Sequence, residues 1–562
     1  MILQALYDYY QRKAADPENK VAPQGFEWKE LPFIIIIDEN GKFVHFEDTR
    51  TIEGNRKRAK KFLVPQMPGK RTSGLRANIL WDNAEYIFAL NNSDNKKAAF
   101  IQTIEKEADT SLPEIRILLK FLQAENNEYI YDPCWNEIST TNPFMSFRIA
   151  GHPDLLIGDV FYSLNSPRKS SDNQGNNVCL ITGNSDVLEP LHTSIKGIAG
   201  TNTTGGSIVS FNLPAFCSFG KDQGQNAPVG KIAAFAYTTA LNMLTDKDSE
   251  NKFRIADMTV VFWAEKQTSF ENQFPFFFTP PTKDDPDRNA QEVKALYESI
   301  HSGKINTEGN TPFYILGLAP NAARISIRLW RSGKVKEFAD HIIQHFNDLE
   351  IVRGKKDERK YYSLFNLMSN IALEYKMDNV PPNLAGKIVE CILDGSPYPV
   401  TLQQQCIRRI RAEQNINRIR AAILKGYLNR KNRIYKTNEK QITMSLDLEN
   451  TNQGYLCGRL FAILEKIQEE AQPGINATIK DRYYGSASST PIAVFGKLLS
   501  LSTHHLAKMN PGRKTNLEKL IQEVMSGISS NGMPAHLSLD EQSRFAIGYY
   551  HQRQDFFTKK EN

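Results

Sequence analysis

The sequence predicts an α+β protein: a mixed α/β N-terminal domain with long loops, then a mainly helical C-terminal half ending in a small helical bundle. Three patterns predict it. FIIIIDENGKFVHF (residues 33–46) reads as strand, turn at Asn40-Gly41, strand, because β-branched and aromatic residues flank a turn dipeptide. Around residue 325 the apolar residues alternate with polar ones, the two-residue period of a strand. Beyond about residue 335 the apolar spacing lengthens to three and four, the period of a helix.

Taken in order, Ile2, Leu3, Leu6, Tyr7 and Tyr10 space out an N-terminal amphipathic helix. Further strands are expected at Thr259 to Trp263 and Ala323 to Trp330. In the latter Ile325, Ile327 and Leu329 should face one way and Arg324, Ser326 and Arg328 the other. Between them, Asn165 to Asn177, Lys196 to Gly206 and the acidic, Pro-rich Phe278 to Arg288 are too polar and turn-rich for packed elements. Leu402, Cys406 and Ile410, then Ile416, Ile419, Ile423 and Tyr427, mark helical stripes with arginines between them. Four amphipathic helices are expected at Tyr455 to Ala471, Thr490 to Lys508, Asn516 to Ile528 and Leu539 to Gln552, which together make a bundle. Domains are accordingly placed at 1–310, 311–440 and 444–562.

The longest apolar run, Phe33 to Ile37, is far short of the roughly 20 residues of a membrane span, so no membrane partner is expected. With Asp8 and Arg12 interrupting the N-terminus, the expected location is cytoplasmic. Six dispersed cysteines form no C-x-x-C pair, and no metal or cofactor is expected. The net charge of +6 is modest, but it is unevenly distributed. Asn55 to Trp81 holds eight Lys/Arg and no acid, and Thr401 to Lys440 holds eleven against Glu413 and Glu439.

Enzyme signatures are missing from this pattern. No Gly-Lys, including Gly69-Lys70 and Gly220-Lys221, is followed by the Ser or Thr of a phosphate loop. His341 and His345 have zinc-helix spacing, but Ile342 stands where a metalloprotease carries its Glu. Adjacent His504 and His505 point about 100° apart on a helix and cannot easily share one metal. Asp284, Asp285 and Asp287 in a Pro-rich loop lack the rigid geometry of a two-metal nuclease. A non-catalytic protein is expected; a metal-dependent nuclease and a purely structural assembly subunit are the alternatives.

Three stretches suit nucleic acid instead. In GKRTSGLRANILWDNAEY, Lys70, Arg71 and Arg76 can neutralise phosphates while Thr72, Ser73 and Asn78 position a backbone or read base edges. From His192 to Val229, Gly205, Gly206 and Ser207 accompany Lys196, Asn212, Lys221, Gln223 and Asn226, a combination suited to close backbone approach and amide contacts. From Cys406 to Arg433, Arg408, Arg409, Arg411, Arg418 and Arg420 flank an isoleucine stripe and could track a phosphate backbone.

In their order these segments resemble the Csd-type large subunit of the type I-C CRISPR effector complex, Cascade. The resemblance runs end to end: MILQALYDYYQR, RTSGLRANILWDNAEY, GGSIVSFNLPAFCSFGKDQGQNAPV, LAPNAARISIRLW, DRYYGSASSTPIAVFGKLLSLSTHHLAKM and FAIGYYHQR. It implies a protein that recognises a short protospacer-adjacent motif in double-stranded target DNA, assists strand separation and helps recruit a helicase-nuclease. The implied partners are that DNA, its displaced single strand, the guide RNA with backbone and RNA-processing subunits, and a small subunit made from an internal start in the same gene. Met444, just before the expected bundle, is the candidate start. On this reading the loop from Gly205 to Asn226 engages duplex, with Gln223 and Asn226 as amide contacts, and the arginine helix and bundle hold separated strand.

Overall fold

The computed structural model describes residues 1–16, 21–53, 56–66, 75–124, 127–160, 177–211, 213–255, 257–278, 298, 308–322, 324–353, 362–381 and 383–557. The chain forms two compact units, one of residues 1–196 and 204–243, the other of residues 197–203 and 244–562.

In the first unit the strands are β1 (Phe26–Glu30), β2 (Phe33–Ile37), β3 (Phe43–Asp48), β4 (Thr51–Glu53), β5 (Arg56–Arg58), β6 (Lys61–Pro65), β7 (Trp81–Asn83) and β8 (Phe144–Ile149). Four of them form a sheet in the order β3-β2-β8-β7, with β2 parallel to β8. All five residues of β2 are buried, which explains a continuous rather than alternating apolar run. The expected turn closes β2 onto β3: Asp38 accepts hydrogen bonds from the backbone of Asn40 and Lys42 at 2.9 and 2.8 Å, and Gly41 takes the left-handed φ of 77°. Helices Asp94–Glu107 and Pro113–Gln123 cover the sheet through Phe100, Ile104, Ile115 and Leu118. A short ribbon follows, β9 (Asn177–Val178) with β10 (Ser185–Asp186).

The second unit begins with an antiparallel sheet in the order β11 (Lys252–Ile255), β12 (Met258–Ala264), β13 (Pro312–Asn321), β14 (Arg324–Lys334). Because β12 and β13 pair directly, the sheet crosses the boundary expected at residue 310. The β14 alternation also departs from expectation. A register shift leaves Arg328 without an opposite residue, since Gly317 pairs with Leu329 and Leu318 with Ile327. Such a bulge puts the side chains on its two sides on opposite faces, so Leu329 is buried while Ile327 faces solvent.

Ten helices of eight residues or more follow β14 among the described residues, and one core runs from Phe253 to Tyr550. The middle region and the bundle expected as separate domains therefore share an interior. Helix Arg418–Tyr435 packs on helix Leu539–Asp555, with Lys431 paired to Asp540 at 2.6 Å. The joining segment is stitched down: the Asn429 amide hydrogen-bonds both backbone groups of Ile442 at 2.8 Å, and Met444 O accepts from Val352 N at 2.8 Å.

The four expected bundle helices are present as Gln453–Ala471, Phe495–Leu506, Pro511–Ser526 and Leu539–Asp555, with an additional helix Ile479–Ala487 opened by a Thr478/Asp481 capping box. Gln453–Ala471 and Leu539–Asp555 are buried on nearly every side rather than on one face. Their backbones run parallel and touch because Gly454, Gly458 and Gly548 stand at the contact. A Cβ on Gly458 would lie 2.0 Å from Phe545 O, and one on Gly548 would lie 2.2 Å from Tyr455 O.

Buried histidines make the fold acid-sensitive. Burial pushes His192 down to about 4 and His551 down to about 3. An unfolded His titrates near 6.5, so between that value and the folded one only the unfolded chain takes up the proton. This stability is complete above about pH 6.5 and is lost as pH falls toward 4; each histidine costs on the order of 2 kcal/mol between pH 7 and 5. Urea midpoints at the two pH values should show a marked drop at pH 5, and equal midpoints would contradict it.

Candidate nucleic-acid interface

The Gly-rich stretch is built as a loop with a closed base and an open tip. At its base Ile195 and Gly206 exchange backbone hydrogen bonds of 2.8 and 2.9 Å, and Gly205, at φ 84°, lies so close that a Cβ would be 2.5 Å from Ile195 O. Gly205, Gly206 and Ser207 are buried. Their smallness serves the loop's own closure, not the ligand approach expected of them. Above them, Asn226 holds the tip from within: its Oδ1 accepts from Ser218 N at 3.1 Å, and its Nδ2 donates to Lys221 O and Gln223 O at 3.0 and 3.1 Å. An amide with both ends engaged is a staple, so the expected base contact by Asn226 gives way to a structural role. Ser218, Phe219, Gly220, Lys221 and Gln223 are left exposed on the stapled frame.

Lys196 is exposed, with its ammonium 3.9 Å from Glu27 and its backbone held by Asn242. Arg76 is exposed. Asn78 is not: it is fully buried, its backbone N–H donating to Asp82 at 2.8 Å, and it cannot meet DNA from that position. Lys70, Arg71, Thr72, Ser73 and Asn212 lie outside the described residues, as do Asp284, Asp285 and Asp287.

The arginine-rich stretch is two helices, Val400–Glu413 and Arg418–Tyr435, broken at Gln414 in the left-handed conformation. Arg408 and Arg411 share the exposed face of the first with Thr401 and Gln404. Arg409, Arg418 and Arg420 do not serve as expected, because all three are buried. Arg420 donates to Asn370 O and Asn415 O at 2.9 Å each and pairs with Glu413. Arg430 likewise donates to Ser396 O and Cys391 O at 2.7 Å. Asn370 and Cys391 sit in the last turns of helices Leu364–Ile371 and Leu384–Leu393, whose final carbonyls have no partner within the helix. Arg418 lies 5.0 Å over the Tyr362 ring, and Arg409 is 3.7 Å from Glu413. Much of the local positive charge thus caps helices and pairs acids.

The histidines considered for zinc are also spent inside. His341 Nδ1 lies 2.6 Å from Leu393 O, and His345 is buried against the Tyr398 hydroxyl. Among the described residues no group of three His, Cys, Asp or Glu side chains could hold a metal. None of their helices is long and apolar enough to cross a membrane.

A further basic surface lies on the bundle. From Arg482 to Leu517 the chain carries no Asp or Glu. In this stretch Arg482, Gly496, Lys497, Ser500, Thr503, His504 and Lys508 are exposed. The positive groups gather closely enough that, besides burial, Lys508 and His504 push His505 down. Such a face of cations and hydroxyls suits a phosphate backbone. The sequence signal for this face, within the bundle expected to hold separated strand, is the gap between Asp481 and Glu518 that no acid interrupts.

The family model of a CRISPR-associated protein (Cas_Csd1) matches residues 6–557. The chain belongs to this CRISPR-associated family. The match covers both units, from the N-terminal helix Ile2–Ala14 to the last helix, Leu539–Asp555. No curated protein matches the chain. In this Csd1-family chain Met444 is half-exposed and precedes the helices that meet through Gly454, Gly458 and Gly548.

Proposed function

We propose that this Csd1-family chain is the large subunit of a type I-C Cascade, binding DNA without breaking bonds in it. It recognises a protospacer-adjacent motif in duplex DNA, assists strand separation, stabilises the resulting R-loop and helps recruit a helicase-nuclease. The observation that carries the reading is the stapled loop. Its base satisfies its own backbone, and Lys221 and Gln223 project from a tip whose shape is set before any ligand arrives. Base pairing to the guide supplies most of the specificity in such a scheme, so the protein needs only a short reading element and cationic tracks. Arg408 and Arg411 form one such track, and Arg482, Lys497 and Lys508 a second.

The test is binding of the reconstituted complex to duplexes that differ only beside the target. Lys221→Ala weakens all sequences alike and lowers the salt slope by about one. Gln223→Ala changes the order of preference. Neither change touches the structural amide of Asn226. If both variants bind like the parent, the loop is not the reader. Incubated with magnesium, manganese or zinc, the complex without its helicase-nuclease leaves DNA intact; cleavage abolished by Asp285→Ala contradicts the non-catalytic reading. Met444 serves as an internal start for a small subunit of residues 444–562. A C-terminal tag reports both products, and full-length chain alone rules the start out.

A further inference from the structure

Between helices Leu364–Ile371 and Leu384–Leu393 the chain turns outward from the core. Ile371 and Ala372 are buried and Val380 packs against the core, but every residue from Leu373 to Asn379 is exposed. Three of them are large and apolar: Leu373 is 51% exposed, Tyr375 46% and Met377 38%. Scattered apolar side chains are ordinary on a surface, but these three crowd onto one short, strained stretch of backbone. Glu374 at φ 55° and Tyr375 at φ 57° both take the left-handed conformation, with neither Gly nor Asn there to relieve it. The strained shape is held in place. Leu373 O accepts from Lys376 N at 3.2 Å and from the Asn379 amide at 2.9 Å, and the buried Arg420 guanidinium lies 5.6 Å from the centre of the Tyr375 ring. Arg420 is itself fixed by Asn370 O, Asn415 O and Glu413, so the ring rests on a rigid cation.

Charge selects the partner. Between Lys360 and Lys387 the sequence holds one cation, Lys376, against Glu374 and Asp378. Lys376 pairs with Glu374 at 2.6 Å, and among the described residues the Asp378 carboxylate has no partner. A knob of leucine, tyrosine and methionine beside an unpaired acid repels a phosphate backbone and suits an apolar cleft rimmed by lysine or arginine. Subunits that coat an RNA carry such cations in excess. We infer that this loop is a protein-docking knob, seating Tyr375 and Met377 in an apolar cleft of a basic subunit of the guide-RNA complex while Asp378 pairs with a cation at the rim. The inference rests on the Cascade reading above and adds to it a surface of the second unit that holds protein rather than DNA. A shape fixed in advance leaves little ordering entropy to lose on docking.

The experiment reconstitutes the guide-RNA complex without this chain and titrates the chain onto it. Tyr375→Ala and Asp378→Lys should each raise the concentration for half-assembly at least tenfold, with Asp378→Asn between parent and Lys. Asp378→Lys breaks no contact within the chain, so its melting temperature should match the parent's and its defect is one of docking, not folding. A photocrosslinking amino acid in place of Met377 should capture a protein subunit other than this chain, at a site beside a Lys or Arg. The knob is overturned by an Asp378→Lys chain that assembles like the parent, or by a crosslink to DNA, to guide RNA, to a second copy of the chain or to nothing. A parent chain that joins no guide-RNA complex refutes the underlying reading instead, before any variant is compared.

Discussion

Asp348→Ala destabilises the second unit by about 3–5 kcal/mol, enough to remove a large share of its stability. Asp348 is 3% exposed, in helix Val335–Leu349. Both of its oxygens accept from Arg433, at 2.7 and 2.8 Å, and Arg430, fully buried, lies 3.8 Å away. Lys425, whose pKa burial pushes down and Asp348 draws back up, donates to its backbone carbonyl at 3.1 Å. Removing the carboxylate takes the paired acid from Arg433 and Arg430 and leaves Lys425 with Glu350 alone. Asp348→Asn keeps the shape and part of the hydrogen bonding and should fall between parent and Ala. Urea unfolding followed by circular dichroism measures the series; an Ala variant within 1 kcal/mol of the parent would show the cations to be satisfied elsewhere.

Gly458→Ala carries the second large effect, about 3 kcal/mol, at the upper end for overpacking. The added methyl would meet Phe545 O at 2.0 Å and Phe545 C at 2.8 Å. Backbone cannot rotate aside as a side chain can, so helices Gln453–Ala471 and Leu539–Asp555 must part. Gly485 in helix Ile479–Ala487 is the control, because nothing lies within 4 Å of its Cβ position. There Gly485→Ala should stabilise by about 0.5–1 kcal/mol through helix propensity. Thermal melts that move both variants in the same direction would contradict the close-packed contact.

What the sequence disclosed follows from which forces act locally. The β2–β3 hairpin was legible because Asn40-Gly41 fixes its own turn, and the bundle helices were legible from period alone. Domain limits were not. β12 and β13 pair across a long intervening segment, and residues 197–203 group with the second unit, both matters of distant contact. Nor does alternation foretell the unpaired Arg328 that turns Ile327 outward.

The candidate site divides the same way. Charge density marks Arg408 and Arg420 equally, yet one faces solvent and the other closes a helix end. A guanidinium fork satisfies carbonyl oxygens as readily as phosphate oxygens, so composition cannot separate the two uses. Asn226 and Gln223 are both amides in one loop, and only the fold makes the first a staple and the second a free contact. The glycine contact of the bundle has a sequence signal of its own. Gly454 and Gly458, four apart in a helical pattern, each weaken a helix relative to Ala and so call for a packing reason.

DNA reading by the loop tip is tested most directly by a salt titration of duplex binding by the reconstituted complex, parent against Lys221→Ala and Gln223→Ala, on targets with permuted adjacent sequence. The expected result is one preferred adjacent motif, a salt slope shallower by about one for Lys221→Ala on every target, and an altered preference for Gln223→Ala. Preference and slope unchanged in both variants would show that DNA is read elsewhere.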